Sequence, residues 1–175
     1  MRLGSFMVYD YFCHDEKGDA TTMLTYGDST SQIPNDLSKL TARLRQQPPF
    51  RYVDEVIHID REQRSMRGRL ALCASGSMQR YGTDEAESLP NFLIFEALAQ
   101  LSGLLIRCLG LVAAGQVGYL ISVSEGSLMQ DRYPPVSLLL HTQLTAQIGN
   151  ILQFTCSVTG DGLEEDRFKL EIGVS

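Results

Sequence analysis

The sequence is short of the residues from which most compact catalytic and metal-binding motifs are built. In 175 residues histidine occurs three times, at His14, His58 and His141, so no histidine lies between 58 and 141. His14 sits beside Asp15 and Glu16, the setting of a surface histidine, and the other two fall in strand-like segments where a packed or face-exposed ring is the ordinary state. The four cysteines, Cys13, Cys73, Cys108 and Cys156, match no zinc or CxxC spacing, so neither a metal nor any other cofactor is expected. Three of them lie in apolar segments, where a free thiol behaves as a small buried hydrophobe; a reducing cytoplasm is the simplest setting. Positive charge is also scarce. A net charge of −6 speaks against a general nucleic-acid binder. The Met1 segment lacks a charged start followed by a long apolar run, so no secretory leader is expected.

What the chain does have is apolar material, 43% of its residues, enough for one well-packed domain with an appendage. The longest apolar stretch runs from Ser88 to Gly110. Its leucines and phenylalanines cover nearly every direction around a 3.6-residue period, which predicts a helix wrapped by protein on most sides. Ser88 is placed to cap it, Pro90 lies in its first turn, Arg107 in its last, and Gly110 is placed for a left-handed stop. A membrane span of this length would have to bury Glu96, Gln100 and Arg107 in hydrocarbon, and strand-like segments flank it, so no membrane is expected. Glu96 and Gln100 are four residues apart and project from one face. A desolvated carboxylate is raised in pKa and prepared to donate a proton near neutral pH. The bland alternative places Glu96 at a solvated helix edge or against a buried arginine.

Around this helix the chain reads as an α+β protein. Residues 5–27 suggest two strands and a turn, an N-terminal extension over 1–34 that forms either a hairpin or a leader, set off by the polar run 28–35. Asn35 or Asp36 is placed to cap a short helix with Leu37, Leu40 and Leu44 on one side and Lys39, Arg43 and Arg45 on the other, ending before Pro48-Pro49; Arg51 follows. Strands are expected over 50–60 and 67–73, then a polar loop over 74–87, the long helix, and strands over 117–124, 138–148, 151–158 and 168–174. Gly149-Asn150 fits a tight turn, and the strands suggest a curved meander around a single helix.

Three blocks carry a family resemblance in order and spacing: PPFRYVDEVIHID, LPNFLIFEALAQLSGLL and GYLISVSEGSLMQDRYPPVSLLLHTQL. They resemble the β-hydroxyacyl-(acyl carrier protein) dehydratases of the FabZ/FabA type, which adopt the hotdog fold, over roughly residues 36 to 174. The resemblance therefore implies a hotdog domain over 35–175. Leu89-Pro90-Asn91 falls on the family's Met-Pro-Gly, and Glu96-Ala97-Leu98-Ala99-Gln100 on its Glu-Ala-Met-Ala-Gln run. In that family a histidine in a His-Phe-Pro-Gly loop removes the α-proton and an acid on the helix protonates the departing hydroxyl. Backbone N–H groups at the helix N-terminus hold the thioester oxygen. The resemblance implies Glu96 as catalytic acid and Pro90, Asn91, Phe92 and Gln100 as substrate-binding positions.

The family's histidine has no counterpart here. Its position falls on Gly82 or Thr83, and Phe-Pro-Gly gives way to an acidic run in which Asp84, Glu85 or Glu87 are weak substitutes for a base. Three readings follow. One is a subunit that lends Glu96 to a histidine-bearing homologous hotdog partner, with acyl carrier protein docking at Lys39, Arg43, Arg45 and Arg51. Another is a thioesterase using Glu96 as base or nucleophile. The last is a catalytically silent acyl-binding protein.

Overall fold

The structure is a computed structural model that describes residues 37–42, 44, 46, 50–72, 91–113, 116–124, 136–160 and 165–175. The expected N-terminal hairpin, the capping residues Asn35 and Asp36, and the acidic loop before the long helix lie outside these residues.

Alternation in the sequence becomes a six-stranded antiparallel sheet: β1 (Glu55–Asp60), β2 (Ser65–Leu72), β3 (Gly118–Ser124), β4 (Val136–Ile148), β5 (Ile151–Thr159) and β6 (Asp166–Val174). Leu152, Phe154, Cys156 and Val158 of β5 face the core, as do Met66, Gly68 and Leu70 of β2, and their sequence neighbours face outward. The strand order is β1-β2-β4-β5-β6-β3. This corrects the simple meander: β1–β2 and β4–β5–β6 follow one another, but β2 pairs with β4 and β3 crosses to the far edge beside β6. The long helix between β2 and β3 carries the chain across the sheet, and β3 lies at the edge beside β6.

That helix, α2 (Asn91–Cys108), buries twelve of its eighteen residues. It is long and apolar enough to cross a membrane by composition, but here its apolar surface is covered by the sheet. It packs closely on β2, where a Cβ on Gly68 would lie 2.9 Å from Leu101 Cδ1 and 3.0 Å from the Glu55 carbonyl, so a larger residue there would force its neighbours to shift. Phe95 packs edge-on against Phe168 of β6, with ring centroids 5.2 Å apart. The helix ends as its sequence predicts. Gly110 takes φ 68°, Leu111 N–H donates to the Ile106 carbonyl and Gly110 N–H to that of Arg107, the paired bonds of a Schellman stop.

The short helix α1 (Ser38–Thr41) is smaller than its leucine spacing suggests, and Leu37 at its N-cap position makes no side-chain capping bond. Leu40 and Leu44 are nonetheless buried, so packing rather than capping holds the segment. A curved antiparallel sheet wrapped around one long helix is the hotdog arrangement.

Candidate active site

Phe92, Glu96 and Gln100 recur every four residues along one face of α2. Exposure falls along that face: Phe92 is 58% exposed, Glu96 is half-buried, and Gln100 is fully buried. The helix thus enters the protein obliquely, and Glu96 stands where solvent gives way to core.

Gln100 is held on all sides. Its Oε1 accepts the Tyr52 backbone N–H at 2.9 Å; its Nε2 donates to the Phe50 carbonyl at 2.9 Å and to Glu96 Oε1 at 2.9 Å. The orientation of the amide is forced. Tyr52 N–H needs an acceptor, so Oε1 faces it, and both Nε2 protons are left for the two remaining acceptors. Residues 50–54, expected to open the first strand, instead lie outside it because this side chain takes the place of a neighbouring strand for Phe50 and Tyr52. Asp54 completes the junction: its N–H donates to the Arg69 carbonyl and its Oδ2 accepts the Ala71 N–H.

Gln100, a substrate-binding position by the resemblance, is fully buried here and donates to one oxygen of the Glu96 carboxylate. Asn91 and Phe92 are exposed at the start of α2, while Pro90 lies outside the described residues. Phe50 is exposed to the same 58% as Phe92, so the acid is bordered by apolar surface. Of the basic group expected to dock a carrier protein, Lys39 is exposed and Arg51 is half-buried with its Nε enclosed; Arg43 and Arg45 lie outside the described residues.

Neither His58 nor His141 approaches this site. His58 on β1 and His141 on β4 face outward, on the side of the sheet opposite α2, where they flank Arg67 in one cross-strand row. Partial burial and the neighbouring Arg67 guanidinium hold His141 below the usual histidine range, against the opposing pull of Glu165. Among the described residues no group of acids, histidines or cysteines is arranged to hold a metal.

A second polar cluster on α2 went unread in the sequence. Ser102 Oγ donates to the Leu98 carbonyl at 2.8 Å and lies 2.7 Å from Thr142 Oγ1, which accepts from Cys156 Sγ at 3.4 Å. A serine has one hydroxyl proton. With that proton on Leu98, Thr142 must donate to Ser102, and a directed chain runs from thiol to threonine to serine to helix carbonyl. All three side chains are fully buried, and burial pushes the Cys156 thiol up to about 11. The one signal in the sequence was a serine amid the leucines of the second half of the helix.

Comparison with known proteins places the chain among hotdog folds and gives its similarity in sequence. It is 25% identical over 132 residues to the 3-hydroxyacyl-(acyl-carrier-protein) dehydratase FabZ of Xanthomonas euvesicatoria, covering 75% of this chain and 87% of that one. With the FabZ of Xanthomonas oryzae strain PXO99A it shares 26% over 121 residues, 69% and 79% of the two chains. No family model matches the chain. In structure it resembles the dehydratase heterocomplex ApeI:P of Xenorhabdus doucetiae, with a TM-score of 0.60 at 14% identity, covering 73% of this chain and 85% of that one. A mutant thioesterase of Pseudomonas aeruginosa gives a TM-score of 0.61 at 11% identity, covering 82% and 96%. The chain therefore has the hotdog fold and is similar in sequence to FabZ-type dehydratases.

Proposed function

We propose that this chain is the acid-bearing subunit of a hotdog dehydratase acting on β-hydroxyacyl thioesters carried by acyl carrier protein, in fatty-acid or polyene-type synthesis in the cytoplasm. The observation that carries the reading is Glu96: a half-buried acid on α2, anchored at one oxygen by Gln100 and bordered by Phe92, in a sequence similar to FabZ. A histidine-bearing homologous subunit supplies the base. That base removes the proton from the α-carbon, the released electron pair forms the α,β double bond, and the C–O bond at the β-carbon breaks. Protonated Glu96 gives its proton to the leaving hydroxyl, which departs as water, and the carboxylate left behind is reprotonated for the next turnover. Backbone N–H groups at the start of α2, the positive end of the helix dipole, stabilise the thioester oxygen as it gains negative charge.

Two features favour a partner chain. β3 is an edge strand whose outer row of backbone groups meets no other strand among the described residues, and its Ile121 is 41% exposed. Phe50 and Phe92 add apolar surface beside Glu96. Lys39 and Arg51, with Arg43 and Arg45, remain our assignment for the acidic carrier protein.

The test mixes the chain with a histidine-bearing FabZ-type subunit and follows enoyl thioester formation. Dehydration is expected only in the mixture, and Glu96→Gln is expected to lower it roughly 10²- to 10⁴-fold. Dehydration by this chain alone at an ordinary enzymatic rate would sink the proposal. Thioester hydrolysis by the chain alone, lost in Glu96→Gln, would favour the thioesterase reading instead.

A further inference from the structure

On the side of the sheet turned away from α2, three arginines are treated differently. Arg69 of β2 pairs with Glu55 of β1 at 3.3 Å. Both Nε and Nη2 of Arg167 on β6 donate to Glu165 Oε2, at 2.9 Å and 2.7 Å. Arg67 of β2 is exposed and forms no ion pair among the described residues. The strand register sets it inside one row: His58 on β1, Arg67 on β2, His141 on β4, Ser157 on β5 and Arg167 on β6. Neighbouring strands lie about 4.8 Å apart, so the row runs roughly 19 Å across the sheet. Like charges directly opposite one another on paired strands repel. The repulsion is felt at His141, where partial burial and the Arg67 guanidinium together disfavour the imidazolium against the opposing pull of Glu165.

Beside the row, two residues along β4 from His141, Leu139 is 39% exposed, with Arg69 and Thr159 as its cross-strand neighbours. An open leucine is thus bordered by Arg67, Arg69 and His141. Small ligands are held in concave pockets, whereas this row is spread over five strands, which favours a macromolecule. Protein interfaces are enriched in arginine and gather apolar contact at their centre. On a chain of net charge −6, a local stretch of positive sign selects a negative partner. A nucleic acid fits less well: its phosphates meet the net negative charge of the whole chain, and the row offers no aromatic ring on which a base could stack.

We propose that this outer row is a docking surface for an acidic segment of a partner protein, its carboxylates on His58, Arg67 and His141 and an apolar side chain on Leu139. Binding replaces the repulsion within the row by charge-assisted hydrogen bonds to the guanidinium and the imidazoles. The surface lies on the opposite face of the sheet from Glu96 and does not depend on the dehydratase reading.

Titration of the isotope-labelled full chain with the acetylated, amidated peptide EELEE, followed by backbone amide resonances, tests this. Saturable shifts are expected at His58, Arg67, Leu139 and His141, with a midpoint of about 1 mM. The peptide QQLQQ lacks the charges and EESEE lacks the apolar anchor; each is expected to bind at least roughly threefold more weakly. Arg67→Gln removes the central charge from an exposed position and is expected to weaken EELEE at least roughly fivefold; Leu139→Ser reads the apolar contact if that variant does not fold. The assignment is overturned by any of four results: no saturable shift up to roughly 10 mM, equal binding of either control peptide, equal or tighter binding of a thymidine oligonucleotide, or unchanged binding in whichever variant folds.

Discussion

Two polar groups interrupt the apolar surface of α2, and they are built to opposite specifications. Around Ser102 every proton is used, every atom is buried, and the chain of donors ends on a helix carbonyl. Around Glu96 the same completeness is reached at Gln100 but the acid in front of it is only half-buried, with exposed phenylalanine at its side. A closed network fixes how helix and sheet pack, whereas a network that is rigid behind and open in front holds a reactive group in place while letting something reach it. Under the proposed dehydratase reading, the position of solvent, more than residue type, separates the structural polar group from the chemical one.

The largest expected effect that sharpens this contrast is at the hinge of the open site. Gln100→Leu takes their Gln100 partner from the Tyr52 N–H and the Phe50 carbonyl and removes one hydrogen bond from the Glu96 carboxylate. Destabilisation of about 2–4 kcal/mol is expected in denaturant unfolding, together with loss of dehydration in the mixed complex beyond what the folded fraction explains. If Gln100→Leu were fully active once folded, the amide would have no part in placing the acid.

Next comes the closed cluster, through pH. The folded pKa of Cys156 lies above its ordinary value of 9.0, at about 11, so the folded state keeps its proton longer than the unfolded chain does. The stabilisation this brings is complete below pH 9 and is lost as pH rises toward 11, by about 2–3 kcal/mol. Unfolding measured across that range should show the slope in the wild type and a shallower one in Cys156→Ala. Equal slopes would mean the thiol is not sealed. Smallest of all, Ser102→Ala should cost about 1 kcal/mol and leave dehydration in the mixed complex unchanged; an activity loss there would erase the distinction between the two networks.

Much of the architecture was readable in advance because burial is periodic. The alternation of Leu152, Phe154, Cys156 and Val158 marks a strand with one buried face, and the apolar run closed by Gly110 marks a covered helix with a Schellman stop. Strand order was not readable, since β3 is next to β6 by virtue of where α2 delivers the chain, and no local pattern records that. The ordering of residues 50–54 also escaped, because their partner is a side chain some fifty positions away.

The site divides in the same way. By itself the sequence determined that one acid stands in a long apolar helix, that an amide follows one turn later, and that no histidine lies between 58 and 141. Only the tertiary structure decided that the amide is consumed by Phe50, Tyr52 and Glu96, and that His58 and His141 lie on the outer face of the sheet. A spacing of four puts two side chains on one face of a helix whatever surrounds it. Which of them meets solvent and which is enclosed depends on the segment packed against that face, and packing of distant segments exists only once the chain has folded.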